Sequence, residues 1–215
     1  MAKKTDNLNL EAKLELRRYF LSKYHPEPPD VIDCCQGDGV IWKHLRSEFF
    51  VATYWGLDVK VKPGRLKLDS ARALAQPGWP QNVVDIDTYG GPWKHWEAML
   101  PNITRPTTVF LTRGYGGMMG VNLSAYEKQA LGLGGLKVPR TIMSHIAEMA
   151  VSYVLTGVCD LVEIIEMMEA TYVPSLGHPN SLANLSARYI GVRLEPKANG
   201  REAATPGRSE HPEPN

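Results

Sequence analysis

The 215-residue chain is 43% hydrophobic and 22% charged, which is the profile of an ordinary globular domain with a full core. Its 24 Lys+Arg against 23 Asp+Glu give no global charge that would argue for a nucleic-acid or acidic partner, and they leave room for a local patch. No apolar run approaches the roughly 18–20 residues of a membrane span, and the charged, amphipathic N-terminus is not a secretory signal.

Residues 1–7 read as a flexible start and 197–215, rich in Pro, Gly and charge, as a disordered tail; 8–196 form one folded domain. Leu8 to Tyr24 has the spacing of an amphipathic helix through Leu10, Leu14, Leu16, Phe20 and Leu21, and HPEPPD stops it. VIDCC (31–35) is a short buried strand, VIWKHLRSEFF (40–50) a helix and VATYWGLDV (51–59) a second strand. RLKLD (65–69) is a third strand, SARALAQ (70–76) a helix, and NVVDIDTYGGP (82–92) a fourth strand running into a turn. A helix over 92–100 carries Pro near its start, and TTVFLT (107–112) is a β-branched fifth strand. Residues 113–120 form a glycine-rich loop, 121–140 are ambiguous, and 141–157 are an apolar helix stopped by Gly157. Residues 160–173 and 187–196 read as paired strands around a turn-rich connection, although Glu and Met in the first also suit a helix.

Three cysteines, with Cys34 and Cys35 adjacent, make neither a disulfide framework nor a C-x-x-C half-site. The six histidines show no paired ligand spacing, so no metal is expected. The cysteines read as small residues closing a strand, in a reducing cytoplasm.

Strand–helix alternation over 31–112 predicts a mostly parallel sheet covered on both faces, with ligands at the carboxyl ends of its strands. Those ends carry unusual residues. The first gives Asp33, then Gly37 and Gly39, a turn where backbone can approach a ligand closely or simply make a tight connection. Asp58 ends the second strand 19 positions past Gly39, near the roughly 20 expected of a carboxylate that grips ribose hydroxyls; a helix cap is the alternative. Asp69 ends the third, as an N-cap or as an acceptor for a purine amine. Asp85 and Asp87 sit at i and i+2 on the fourth, which places two carboxylates on one side. That arrangement is costly unless a cation or hydrogen-bond donor meets them.

VIDCCQGDG, GLD at 56–58, LKLDSA at 67–71 and VVDIDTYGGPW at 83–93 together resemble the class I S-adenosylmethionine-dependent methyltransferases, over roughly residues 30–116. The resemblance implies a Rossmann-like three-layer sandwich with a seven-stranded, mostly parallel sheet and an antiparallel last strand, 187–196. It assigns Asp33, Cys35, Gly37, Gly39, Asp58, Asp69 and Asp85 to S-adenosyl-L-methionine. Cys35 stands where the family has Gly or Phe. Asp87-Thr88-Tyr89-Gly90 is similar to the Asp-Pro-Pro-aromatic of nucleic-acid amino-methyltransferases, and to the Asp-Pro-Phe-Gly-Ser-Pro of tRNA guanine-N2 dimethyltransferases. Asp87 and Tyr89 would then be catalytic, with Gly90, Pro92, Trp93, Arg113 and Tyr115 binding substrate. The implied reaction is direct in-line N-methylation of a base amine in DNA or RNA.

Around this constellation, Lys60, Lys62, Arg65 and Lys67 read as a solvated loop or a phosphate-contacting edge. Trp93 and Trp96 can also simply pack on the sheet, His95 reads as helix surface, and Met167 and Met168 read as core. Two other readings stand: a methyltransferase-like binding module without turnover, and a NAD(P)-dependent oxidoreductase, for which the glycine pattern is one short.

Overall fold

Helix α1 (Leu10–Tyr24) turns Leu14, Leu16, Phe20 and Leu21 onto one face of a sheet, beside α2 (Val40–Glu48), which contributes Ile41, Trp42 and Leu45. The computed structural model describes residues 9–60, 63–64, 66–88, 90–114, 123–139, 141–157, 160–171 and 187–197. Tyr89, Tyr115, Lys62, Arg65 and most of the expected tail lie outside the described residues. The strands are β1 (Asp30–Asp33), β2 (Thr53–Asp58), β3 (Leu66–Lys67), β4 (Val83–Ile86), β5 (Thr107–Gly114), β6 (Val162–Thr171) and β7 (Ala187–Pro196). The remaining helices are α3 (Ser70–Leu74), α4 (Trp93–Met99), α5 (Ala125–Ala130) and α6 (Met143–Thr156).

The seven strands run in the order β3-β2-β1-β4-β5-β7-β6. β1 to β5 are parallel to one another, and β7 pairs antiparallel with both β5 and β6. This matches the expected three-layer sandwich. The insertion of β7 separates it from the 3-2-1-4-5-6 order of dinucleotide-binding oxidoreductases. Within the stretch 160–173, open between strand and helix, Val162–Thr171 is strand: its pairing with β7 outweighs the helical preference of Glu and Met. The ambiguous 121–140 contain the short α5, closed by a capping box between Ser124 and Glu127.

Two cores result. On the α1–α2 face lie Val31, Val83 and Phe110 from the sheet; on the other, Ile32, Val84, Ile86 and Val109 meet Trp96 and Met99 of α4 and Val151 and Leu155 of α6. Met167 and Met168 correct the sequence reading. They sit on β6, the edge strand beside β7, and are 50% and 37% exposed, in a stretch whose register is shifted by a bulge between Ile164 and Glu166.

α1 packs tightly on the sheet at Gly191 of β7. A Cβ there would stand 2.4 Å from the Phe20 ring, which is fully buried and has nowhere to move. Gly191→Ala is therefore expected to cost about 1–3 kcal/mol by overpacking, read as a lower midpoint in urea unfolding. An unchanged midpoint would contradict the close approach of helix and sheet.

Candidate active site

β1 ends at Asp33 because the chain must then turn sharply into α2. Cys34 N–H donates to the Asp85 carbonyl (2.8 Å) and Gln36 N–H to that of Leu57 (3.1 Å), so the turn is pinned to both neighbouring strands. Gly37 (φ 55°) and Gly39 (φ 65°) supply left-handed backbone, and Gly39 opens α2. The Gln36 side chain lies over Gly56, where a Cβ would stand 2.4 Å from it. Gly56 is thus part of the site's frame, a role the sequence reading missed; its place one residue before a strand-end Leu-Asp was the only signal.

Asp58, at the end of β2, accepts from Gly37 N–H (3.2 Å) and Lys60 N–H (2.8 Å), tying the glycine turn to the second strand end. Asp69 is the N-cap of α3, accepting from Ala71 and Arg72 N–H groups through Oδ1, while Oδ2 meets Lys94 at 3.2 Å. Desolvation works against its charge, yet Lys94 and the cap bonds hold Asp69 below its ordinary range.

Asp33 and Asp85 face each other in the β1–β4 register, and Asp87 lies two residues on. Cations meet both carboxylates of the i, i+2 pair, and both come from α1. Arg17 donates to the two oxygens of Asp85 at 2.8 and 2.6 Å, and Trp42 Nε1 adds a third bond at 2.7 Å. Lys13 Nζ reaches both oxygens of Asp87 at 2.7 and 2.8 Å. Sequence reading missed both cations, although an i, i+4 pair inside the apolar stripe was visible beside an unexplained acid pair.

These partners divide the carboxylates by task. Arg17 and Asp85 are each 1% exposed, so Asp85 is engaged in anchoring α1, a role the resemblance did not imply. Asp87 is 20% exposed at the strand end. Desolvation opposes its charge, but Lys13, Arg17 and the Thr112 hydroxyl hold its carboxyl below the ordinary range. Asp33 goes the other way: burial, then the Asp85 charge, raise it well above, although the Tyr54 hydroxyl donates to it at 2.8 Å. Burial, then Asp33, pushes the Cys35 thiol up to about 12, and burial raises Cys34 as well, so neither is a thiolate nucleophile.

Gly90 (φ 114°) turns the chain after Asp87, and its carbonyl accepts from Gly114 N–H at 2.7 Å, joining the β4 and β5 ends. Pro92 is the N-cap of α4. Two further expectations are corrected. Trp93 is 2% exposed and stacks on Tyr126, so its face is not open to a base. Arg113 is 4% exposed and grips Glu127 of α5 at 2.5 and 2.9 Å, which makes it the anchor of that helix. His95 is half-buried, with Nε2 at 2.8 Å from the Ser70 hydroxyl, and is not plain helix surface.

The strand order, the glycine turn after β1 and the acids ending β2 and β4 decide the architecture. This is the class I methyltransferase fold. Comparison by sequence, with family profiles and with curated proteins, finds no match. Solved structures do match. Trm1 from Pyrococcus horikoshii, in complex with S-adenosyl-L-methionine, superposes with a TM-score of 0.59 at 12% identity, over 89% of this chain and 56% of that one. The chain therefore spans little more than half the length of that protein. The plantazolicin methyltransferase BamL, with a triazolic desmethylPZN analogue and SAH, gives 0.52 at 11% identity, over 88% and 86%. A Clostridium thermocellum protein described as an rRNA-methylase gives 0.52 at 12%, over 85% and 96%. Among the described residues no helix is long and apolar enough to cross a membrane.

The buried Arg17–Asp85 pair yields a stability test. Asp85→Asn leaves a buried guanidinium without its counter-charge and should cost about 3–5 kcal/mol in urea unfolding. Replacing both partners with apolar residues, Arg17→Met with Asp85→Leu, should recover much of that loss. A single variant as stable as the parent would show that Arg17 is not confined there.

Proposed function

We propose that the protein is an S-adenosylmethionine-dependent methyltransferase acting on an exocyclic amine of a base in DNA or RNA. The observation that carries this reading is Asp87, a partly exposed carboxylate at the end of β4, paired with Lys13 beside a glycine turn and Asp58. The residues present fit the cofactor. A turn of left-handed glycines exposes backbone, and an acceptor-only carboxylate ends β2, the complement of an amino-acid moiety and a ribose diol. In this reading Asp33, Cys35, Gly37 and Gly39 line the methionine end and Asp58 takes the ribose hydroxyls. Asp69, already an N-cap, offers its spare lone pairs to the adenine amino group.

The bound cofactor supplies an electrophilic methyl on a sulfonium. Asp87 accepts an N–H of the target amine and so aims the nitrogen lone pair, a contribution of positioning rather than covalent chemistry. Held below the ordinary carboxyl range, Asp87 is too weak a base to keep the proton that the methylated nitrogen sheds, and that proton passes to water. Tyr89 and Tyr115 would supply the stacking surface, since Trp93 is turned inward. The C. thermocellum protein described as an rRNA-methylase supports a nucleic-acid target; BamL, bound to a desmethylPZN analogue, shows that the fold also serves other substrates.

The test combines calorimetry with methyl transfer. S-adenosylhomocysteine should bind the wild type, and Asp58→Ala should weaken it by about tenfold or more through loss of charge-assisted hydrogen bonds. Label from S-adenosylmethionine should enter one of the DNA, tRNA or rRNA fractions. Asp87→Ala should cut transfer by about a hundredfold, with cofactor affinity within about threefold. No cofactor binding would sink the proposal; binding without transfer to any fraction would favour a non-catalytic module; label entering protein alone would overturn the nucleic-acid target.

A further inference from the structure

We propose that Lys13 is a positioning residue for methyl transfer: through its two contacts to Asp87 it fixes that carboxylate as the acceptor for the target amine. The inference rests on the reading of Asp87 given above. Three carboxylates, Asp33, Asp85 and Asp87, crowd the ends of two adjacent strands, and α1 brings only two cations to them. Arg17 is consumed by Asp85, with Trp42 completing the set of bonds. Among the described residues, Lys13 is the cation in hydrogen-bond contact with Asp87, at both oxygens.

The geometry around Lys13 is fixed from several sides. Its carbonyl accepts from Arg17 Nη1 at 3.0 Å, so the two cations are registered to each other through the helix backbone. Its ammonium lies 5.1 Å from the centre of the Tyr189 ring on β7, and the Tyr189 hydroxyl accepts from Asn9, the N-cap residue of α1. Only 7% of the Lys13 side chain is exposed, against 20% for Asp87. The lysine therefore stands behind the carboxylate, and the carboxylate presents its remaining lone pairs outward.

The groups that face Asp87 are Lys13 and Arg17 from α1, Asp33 from β1, Cys35 from the following turn, Asp85 from β4 itself and Thr112 from β5. Without Lys13, the burial that already opposes its charge favours protonation of Asp87. A protonated carboxyl turns a donor toward a position where the target's N–H needs an acceptor. Loss of Lys13 thus does more than weaken a contact: it inverts the hydrogen-bond sense of one oxygen. Ionisation of Asp87 is required for transfer and Lys13 favours it, so removing Lys13 moves the acidic limb of activity to higher pH.

The experiment is the pH profile of kcat/KM for methyl transfer by the full chain, compared among the wild type, Lys13→Met, Lys13→Arg and Asp87→Asn. In Lys13→Met the acidic limb should rise by about one pH unit or more. Activity of that variant should then lie about tenfold below its own plateau one pH unit under its raised midpoint, and within about threefold of wild type near pH 8.5. Lys13→Arg should keep the wild-type limb, and S-adenosylhomocysteine affinity should stay within about threefold throughout. If Lys13→Met does not fold, Lys13→Gln, which keeps a donor without the charge, is read by the same profile. A wild-type profile in the uncharged variant overturns the inference while Asp87→Asn remains inactive. A fully active Asp87→Asn overturns the underlying reading of Asp87 instead.

Discussion

Two rungs between α1 and β4, Arg17 to Asp85 and Lys13 to Asp87, set the relation between the first helix and the middle of the sheet. The apolar face of α1 alone could slide along the sheet with little penalty, since hydrophobic contact is non-directional. A guanidinium bound through two of its nitrogens to one carboxylate cannot slide. The Arg17–Asp85 pair adds little net stability, because desolving two ions costs nearly what their attraction returns. Its effect is to allow one register only. Cation and ring reinforce this: Arg17 lies 4.9 Å from the centre of the Phe110 ring, and Phe20 packs edge-on to the same ring.

The same rungs determine the electrostatics of the strand ends. Asp33 faces Asp85 across the β1–β4 register, and with burial this favours its protonated form. Asp85 is paired with Arg17 and Asp87 with Lys13. The cluster thus sets two ion pairs beside a carboxyl whose burial favours its neutral form, in a region where an unpaired ion would be expensive. Tyr54 and Trp42 close it by donating to Asp33 and Asp85, so an aromatic from β2 and another from α2 serve as hydrogen-bond donors as well as core.

Much of this was legible in the sequence where the signal was local. Alternating apolar runs and turns located every parallel strand, and the rule that ligands meet the carboxyl ends of strands picked out Asp33, Asp58, Asp69 and Asp87. The demand that Asp85 and Asp87 meet a cation was legible too, but its source was not, because Lys13 and Arg17 are separated from them by 74 and 68 residues. On an amphipathic helix a lysine and an arginine read as solvent-facing by default. Arg113 and Trp93 failed for the matching reason. A strand-end Arg and a helix-start Trp look exposed until Glu127 and Tyr126 of α5 cover them. For β6 the decision between helix and strand lay wholly in its pairing with β7, a non-local fact.

The two halves of the strand-end cleft depend on different kinds of constraint. On the β1–β2 side the frame is backbone: left-handed glycines, a Gln36 side chain laid over Gly56, and N–H groups turned toward Asp58. Such a frame tolerates wide change in side chains, which fits a fold shared with solved structures at only 11–12% identity. On the β4–β5–β7 side the frame is charge. Against desolvation, Lys13 and Arg17 hold Asp87 below the ordinary carboxyl range, and Arg17 pairs with its neighbour Asp85; both cations come from a helix that precedes the sheet. Substitution there must be concerted, because losing one member of a buried pair leaves the other without a partner. The glycine turn can therefore persist while the residues around it drift, whereas α1 and β4 are bound to change together or not at all.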